Sequence, residues 1–409
     1  MVKSNGSHYR WYVLGLAALT HTFAVAIPRM CMPVLFEEIS IDLGLSLVQI
    51  GVIWGTTSLA GLVSVLTGGL LGDRFGVKKV VGIACFLAGG MGALRGLSIG
   101  FMSLAATTFL LGFVSFVIPA NATKTAGVWF SGRHLGFANG ILGVGMAIGF
   151  VVAAMLSATV LSPMLGGWRR VLLLYGVLSA ILSVLWFLTV REPAEAVSGS
   201  SGDRLTLGQT LSRVVRFKTV WLIGLVLLGH AGCVQSMLGY LPLYLRDRGW
   251  SVASADGTVA GFHGVSMLGV IPLALLSDRL RSRKTVLIPA ALITTICIAL
   301  LSVARDPAVW LLVILAGMFR DGFMAILMSM IIEVKGVGAA YAGTAVALVM
   351  TISQFGNFMA APLGNSFASI YPGLPFVFWG FLALVAPVSL YFVKEERWSK
   401  KAGKGAQDL

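Results

Sequence analysis

Twelve apolar stretches, separated by short polar connections, run the length of this chain. They fall at about residues 11–36, 46–71, 79–99, 101–130, 134–162 and 168–190, and resume at about 219–245, 252–276, 285–304, 307–334, 340–366 and 372–393. Each holds the roughly 20 apolar residues that an α-helix needs to cross the hydrocarbon of a bilayer. Barrel strands are about half that length and alternate in polarity, and these runs do neither. A helix also satisfies its own backbone hydrogen bonds in lipid, where water is absent. The pattern predicts an all-α membrane protein with twelve transmembrane helices. The first run lacks a small-residue cleavage site and is too long for the apolar core of a signal peptide, so it is expected to be retained as the first span.

One polar stretch, 191–218, is longer than the rest. It contains Ser-Gly-Ser-Ser-Gly-Asp at 198–203, followed by Arg204, Arg213, Arg216 and Lys218. It predicts a linker, with room for a short surface helix, between an N-terminal six-helix bundle (1–190) and a C-terminal one (219–409) that ends in a basic tail. The halves share a signature. Gly72-Asp73-Arg74-Phe75-Gly76-Val77-Lys78-Lys79 follows the second run, and Ser277-Asp278-Arg279-Leu280-Arg281-Ser282-Arg283-Lys284 follows the eighth. Asp73, Arg74 and Lys79 each recur 205 positions later, which implies a duplicated, pseudo-symmetric unit. Glycines within the runs, such as Gly140, Gly143, Gly145 and Gly149, are expected to let helices approach closely.

Composition supports the same picture. Hydrophobic residues make up 57% and charged residues 11% of the 409, against about 25% charged in a soluble domain. The cysteines, Cys31, Cys85, Cys233 and Cys297, all sit in apolar runs without CxxC spacing, so neither a disulfide framework nor a zinc site is expected. Met30-Cys31-Met32 reads as packing, because successive helical residues point apart. The net charge of +14 reads as a topology signal. With a cytoplasmic N-terminus, twenty-one Lys and Arg fall on the cytoplasmic side. Six fall opposite: Arg95, Arg169, Arg170, Arg246, Arg248 and Arg305. The positive-inside rule then predicts cytoplasmic termini in a cell membrane, and no nucleic-acid partner.

The segment Gly68-Gly69-Leu70-Leu71-Gly72-Asp73-Arg74-Phe75-Gly76-Val77-Lys78-Lys79 resembles the signature loop of the major facilitator superfamily. With the twelve runs and the half-repeat, the resemblance covers nearly the whole chain. It implies two six-helix bundles around a central cavity lined by the first, fourth, seventh and tenth spans, working by alternating access. It also implies a conformational gate at Gly72, Asp73 and Arg74, repeated at Asp278 and Arg279. A narrower likeness lies in Pro119-Ala120-Asn121-Ala122-Thr123-Lys124, followed by Trp129-Phe130, Arg133, Gly136 and Ala138-Asn139-Gly140. This region resembles the anion-transporting branches: organic anion and monocarboxylate, oxalate/formate, nitrate/nitrite and cyanate-like. The Arg common at the start of the fourth span is absent from Phe109-Leu110-Leu111-Gly112, and the fifth span lacks the Gly-Pro pattern of drug antiporters.

Ionisable residues deep in a span cost about 2.5–3.5 kcal/mol each on insertion scales, and persist when paired or used. Four stand out: Arg29, Lys124, Arg320 and Asp321. All four fall on spans that the resemblance places around the cavity, and the positive excess there suits a small anion. Arg29, Lys124 and Arg320 are therefore candidate substrate contacts, with Asn121, Gln354, Asn357 and Tyr240 beside them. Arg29 is weighed against snorkelling to the interface, and Lys124 against the same on the other side. Arg320 and Asp321 point about 100° apart on a helix and need not pair with each other. Asp321 is the candidate proton-coupling acid. His21, His230, Gln235 and His263 are secondary candidates, since a lone His or amide in a helix more often makes an interhelical hydrogen bond. No Walker loop, nucleophile–base pair or HExxH motif occurs, so ATP is not the energy source and no enzyme or cofactor is expected. The sequence predicts a monomeric secondary transporter of a small anion, an organic carboxylate first, coupled to protons or working by exchange. The competing readings are an efflux carrier for an apolar or cationic compound and a non-transporting membrane receptor or assembly component.

Overall fold

The computed structural model describes residues 6–130, 133–191, 207–334 and 336–393. The first six spans are His8–Leu43, Leu47–Phe75, Val77–Gly96, Phe101–Trp129, His134–Leu165 and Trp168–Thr189. The second six are Lys218–Asp247, Val252–Leu280, Lys284–Leu300, Asp306–Ile332, Gly338–Ser366 and Leu374–Phe392. Eleven helices are long and apolar enough to cross a bilayer outright. Span nine has 17 residues, about 25 Å of helix, at the short end of the spanning range. The predicted linker at 191–218 contains a short helix, Leu207–Val214; residues 192–206, and the tail beyond 393, lie outside the described residues.

Two boundaries differ from the sequence reading, for a clear reason. Span one runs seven residues past the predicted end because Glu37, Glu38 and Asp42 find partners on neighbouring helices. Ser162 donates to Glu38 (2.5 Å), and Trp168 and Arg169 donate to Asp42 (3.1 and 2.9 Å). The helix stops at Gly44, in the left-handed region at φ 62°. Span two likewise carries Gly72, Asp73 and Arg74 inside its last turns, and the predicted loop shrinks to Gly76 at φ 85°. The side chain of Asp73 lies outside the described set. In the second half, Asp278 and Arg279 end span eight in the same way, before Arg281 at φ 51°.

Two spans contain π-helical turns, His21–Ala26 in span one and Ser157–Leu161 in span five. Each precedes a proline, Pro28 and Pro163. Proline has no N–H for the carbonyl four residues back, and a widened turn absorbs the mismatch.

Small residues set the helix spacing. A Cβ on Gly112 of span four would meet the backbone of Thr57 on span two at 2.7 Å. Gly145 and Gly149 of span five lie as closely on Ala18, Thr22 and Ala26 of span one, and Thr22 donates to the Gly145 carbonyl (2.7 Å). Gly140 and Gly143, expected to pack in the same way, face open space. The halves meet where span two crosses span eleven and span five crosses span eight. Across the first seam, Gly51 abuts Pro362 and Gly55 abuts Phe358.

The Gly112 contact is with backbone, which cannot step aside as a flexible side chain can. Gly112→Val is expected to destabilise the first half by about 1–3 kcal/mol through overpacking, read as a lowered unfolding midpoint of the detergent-purified protein. Gly140→Val should leave the midpoint unchanged.

Candidate functional site

Between the halves lies a cavity of about 760 Å³, within the usual range for small-molecule sites. Span one contributes Pro28, Arg29, Met32 and Phe36 to its wall, and span two Ile53, Trp54 and Thr57. Arg320 and Asp321 come from span ten. Apolar groups such as Phe116, Phe150 and Met324 supply most of the remaining lining.

Arg29 is half-buried and donates to the Gln235 side chain of span seven (3.1 Å), across the two halves. Gln235 also holds Trp54, whose indole N–H donates to its backbone carbonyl (2.7 Å). Arg320 and Asp321 were expected to point apart, yet they pair at 2.5 Å, each about 30% exposed. The long arginine side chain folds back over its neighbour, because both project into the same opening. The Asp321 backbone N–H also reaches the Ser266 hydroxyl of span eight (3.1 Å). Ion pairing therefore neutralises one guanidinium, while Arg29 has only a neutral amide against it.

One end of the cavity is shut. Arg246 of span seven, its side chain 5% exposed, bridges Glu37 of span one (2.9 Å) and fully buried Asp256 of span eight (2.6 Å). Asn365 of span eleven donates to the Leu47 carbonyl at the start of span two (2.8 Å). These bonds join the two halves near the connections after spans one, seven and eleven. Toward the opposite end, Asn139, Gly140, Gly143 and Val144 of span five line the cavity and are exposed. The cavity opens there, on the side of the central linker.

Other candidate residues lie elsewhere. Asn121 is fully buried between spans two and four and donates to the carbonyls of Gly68 (2.9 Å) and Val117 (2.8 Å). Its side-chain oxygen occupies the place a Cβ on Gly72 would take, so Gly72 must be small for this helix pair to close. Lys124, one turn on, is half-buried and is not part of the cavity wall. Tyr240 packs on Tyr244, Phe376 and Trp379 and donates to the Pro372 carbonyl (3.1 Å), inside the second half. Asn357 donates to Gln354 (2.9 Å), and both are buried on span eleven, where Gln354 faces Gly61 of span two. Arg74 is exposed with its guanidinium over Phe75. Asp278 pairs with Arg283, which also holds Glu333 just past the end of span ten (3.0 Å), while Arg279 is exposed. His21 bonds its own helix at Ala17 (3.0 Å), His230 stacks on Phe323, and His263 packs on Phe150 across the halves.

Sequence reasoning counted Arg95 and Arg246 only as topology charges on the side opposite the termini, and the structure buries both. Arg246 is the latch just described. Arg95 ends span three, is 1% exposed and lines the cavity. Its position inside the third apolar run, four residues before the predicted end at 99, was the signal available in the sequence.

Twelve spans around a central cavity, shut at one end and open at the other, define a polytopic membrane transporter rather than an enzyme. The Major Facilitator Superfamily matches residues 14–361 and again 258–408, and the chain belongs to that family. A probable galactarate/D-glucarate transporter of Bacillus subtilis is 26% identical over 368 residues, 78% of this chain and 77% of that protein. A gallate transporter of Pseudomonas putida is 26% identical, covering 90% of this chain and 88% of its own. Among solved structures, a bacterial homologue of the human lysosomal transporter Spinster, inward-facing and unoccupied, superposes with a TM-score of 0.72. It has 16% identity and covers 95% of each chain.

The latch is asymmetric: Asp256 is wholly buried, while the Glu37 side chain is 41% exposed. Removing one partner of a buried pair costs about 3–5 kcal/mol, whereas an exposed carboxylate regains water. Arg246→Gln is expected to open the closed end markedly and Glu37→Gln only slightly. Thiol-labelling rates of a cysteine placed at Ile50, buried at the shut end near the start of span two, would measure both.

Proposed function

We propose that this chain is a secondary transporter of small organic anions, working by alternating access between the state described above, open on the linker side, and one open at the other end. The observation that carries the reading is the pair Arg29 and Arg320 on opposite halves of one cavity, with Asp321 the one carboxylate in its described lining. In a low-dielectric chamber, a guanidinium without a carboxylate partner attracts an anion and can grip a carboxylate through two parallel hydrogen bonds. The carboxylic-acid substrates in the names of the Bacillus and Pseudomonas relatives support the same class. The open end faces the cytoplasm in this reading, because the Lys- and Arg-rich connections lie on that side.

A substrate carboxylate bound between Arg29 and Arg320 would draw the halves together and loosen the Arg320–Asp321 pair. Freed of its partner, Asp321 takes up a proton, which couples substrate movement to the proton gradient. Asp73, Arg74, Asp278 and Arg279 lie at the open end of spans two and eight, where a gate for the alternate state would close. The monomer is the working unit in this proposal.

Binding is tested by thermal shift and calorimetry of the purified protein against mono- and dicarboxylates, nitrate and a lipophilic cation. Carboxylates should stabilise it, and Arg29→Gln or Arg320→Gln should weaken the hits about tenfold or more, the loss of one charged hydrogen bond. Stabilisation by the cation alone, or hits unchanged in both variants, would reject the reading.

Coupling has its own signature. In proteoliposomes, Asp321→Asn should retain substrate exchange and lose accumulation driven by an imposed pH gradient. Undiminished proton-driven accumulation in that variant would exclude Asp321 as the proton site.

A further inference from the structure

Arg95 takes no part in the reading above. It stands in the last turn of span three, next to the short connection to span four, where an arginine could reach water or headgroups. It turns inward instead, 1% exposed and lining the central cavity. Its Nε and Nη2 have no hydrogen-bond partner among the described residues, and the thiol of Cys31 on span one is its polar neighbour. Thr108 of span four lines the same cavity, is 2% exposed and has an Oγ1 equally without a partner. A buried helical threonine can satisfy itself on the carbonyl one turn back, as Thr20, Thr22 and Thr56 do here; Thr108 does not.

The nearby acids are committed elsewhere. Glu37 is held by Arg246, Glu38 by Ser162, and Asp42 by Trp168 and Arg169. Together with Asp73, whose side chain is not described, these are the acids of the first six spans. A buried guanidinium with open N–H groups carries a heavy desolvation cost unless an anion answers it.

We propose that Arg95 and Thr108 form a second anion subsite in the cavity wall, which takes the far carboxylate of a dicarboxylate held at its near end by Arg29 and Arg320. The assignment rests on the organic-anion reading and narrows it to diacids. Three guanidiniums and Asp321 leave two positive charges around the chamber, which matches a dianion. Cys31 lies two residues after Arg29 on span one, about 3 Å along the helix axis, so the two subsites flank that helix at nearly the same depth. A substrate spanning them would touch both halves through Arg320 and reach the wall behind span one through Arg95.

The test uses the full-length purified protein and matched ligand pairs: succinate, glutarate, tartrate and glucarate, each beside its own monomethyl ester, which keeps the carbon chain and removes one charge. Calorimetric affinities are measured in the wild type, Arg95→Gln, Arg95→Lys and Thr108→Val. For at least one pair the wild type should bind the diacid about tenfold or more tighter than the ester. Thr108→Val, a close match in shape, should weaken that diacid several-fold and leave its ester unchanged. Arg95→Gln should abolish the preference, and Arg95→Lys should restore part of it. Should Arg95→Gln fail to fold, the Thr108→Val comparison decides alone. Equal binding of diacid and ester in the wild type, or variants that weaken both forms alike, would overturn the subsite and leave the anion reading standing. Binding of neither form, in any pair, would overturn both.

Discussion

A guanidinium placed among apolar helices must be answered by a carboxylate, by hydrogen-bonding groups or by water, because the low-dielectric interior gives it nothing else. The architecture follows from how each such group is answered. Arg246 is answered twice, by Glu37 and Asp256, and the answer comes from both halves of the molecule. That pairing makes it a latch. Arg320 is answered by its own neighbour Asp321, and Arg29 by the Gln235 amide, and both remain open to the cavity. Arg95 has open N–H groups and lines the same space. One end of the molecule thus holds its charges in closed circuits, and the middle keeps incomplete ones.

The walls around this chamber are packed through small residues, both between the halves and within the first one. Span two meets span eleven through Gly51 and Gly55 against Pro362 and Phe358, and span five meets span one through Gly145 and Gly149. Contacts between backbones and small residues involve few interlocking side chains. Association in lipid rests on such close packing rather than on hydrophobic exclusion. The π-helical turns ahead of Pro28 and Pro163 place widened helix in spans one and five, two of the spans that line the cavity on the first half. The ion pair that crosses the halves, Arg246–Glu37, and the Asn365–Leu47 bond lie at one end of that seam, while Gln235 ties the halves at its middle.

The roles of several single residues turn on partners that periodicity does not display. Asn121 and Lys124 share a polar stripe on span four. The stripe faces span two for Asn121, which clamps the backbone at Gly68 and needs Gly72 bare. Tyr240 shows its hydroxyl to a carbonyl within its own half. Arg95 and Arg246 stand near helix ends, where the charge-counting rule reads every cation as a topology signal. Their burial became visible only once Cys31 and Asp256 were set beside them in space.

The sequence by itself determined twelve spanning helices, their duplication into two halves and the presence of scarce charges within them. The bilayer imposes those features on local composition, residue by residue: length, apolarity and the cost of each charge. Which charges are paired, which face the chamber and which end is shut was decided only by the tertiary structure. Neutralisation depends on the group a few ångströms away, and that group can come from another helix more than 100 positions distant along the chain, as Glu37 does for Arg246 and Asp42 for Arg169.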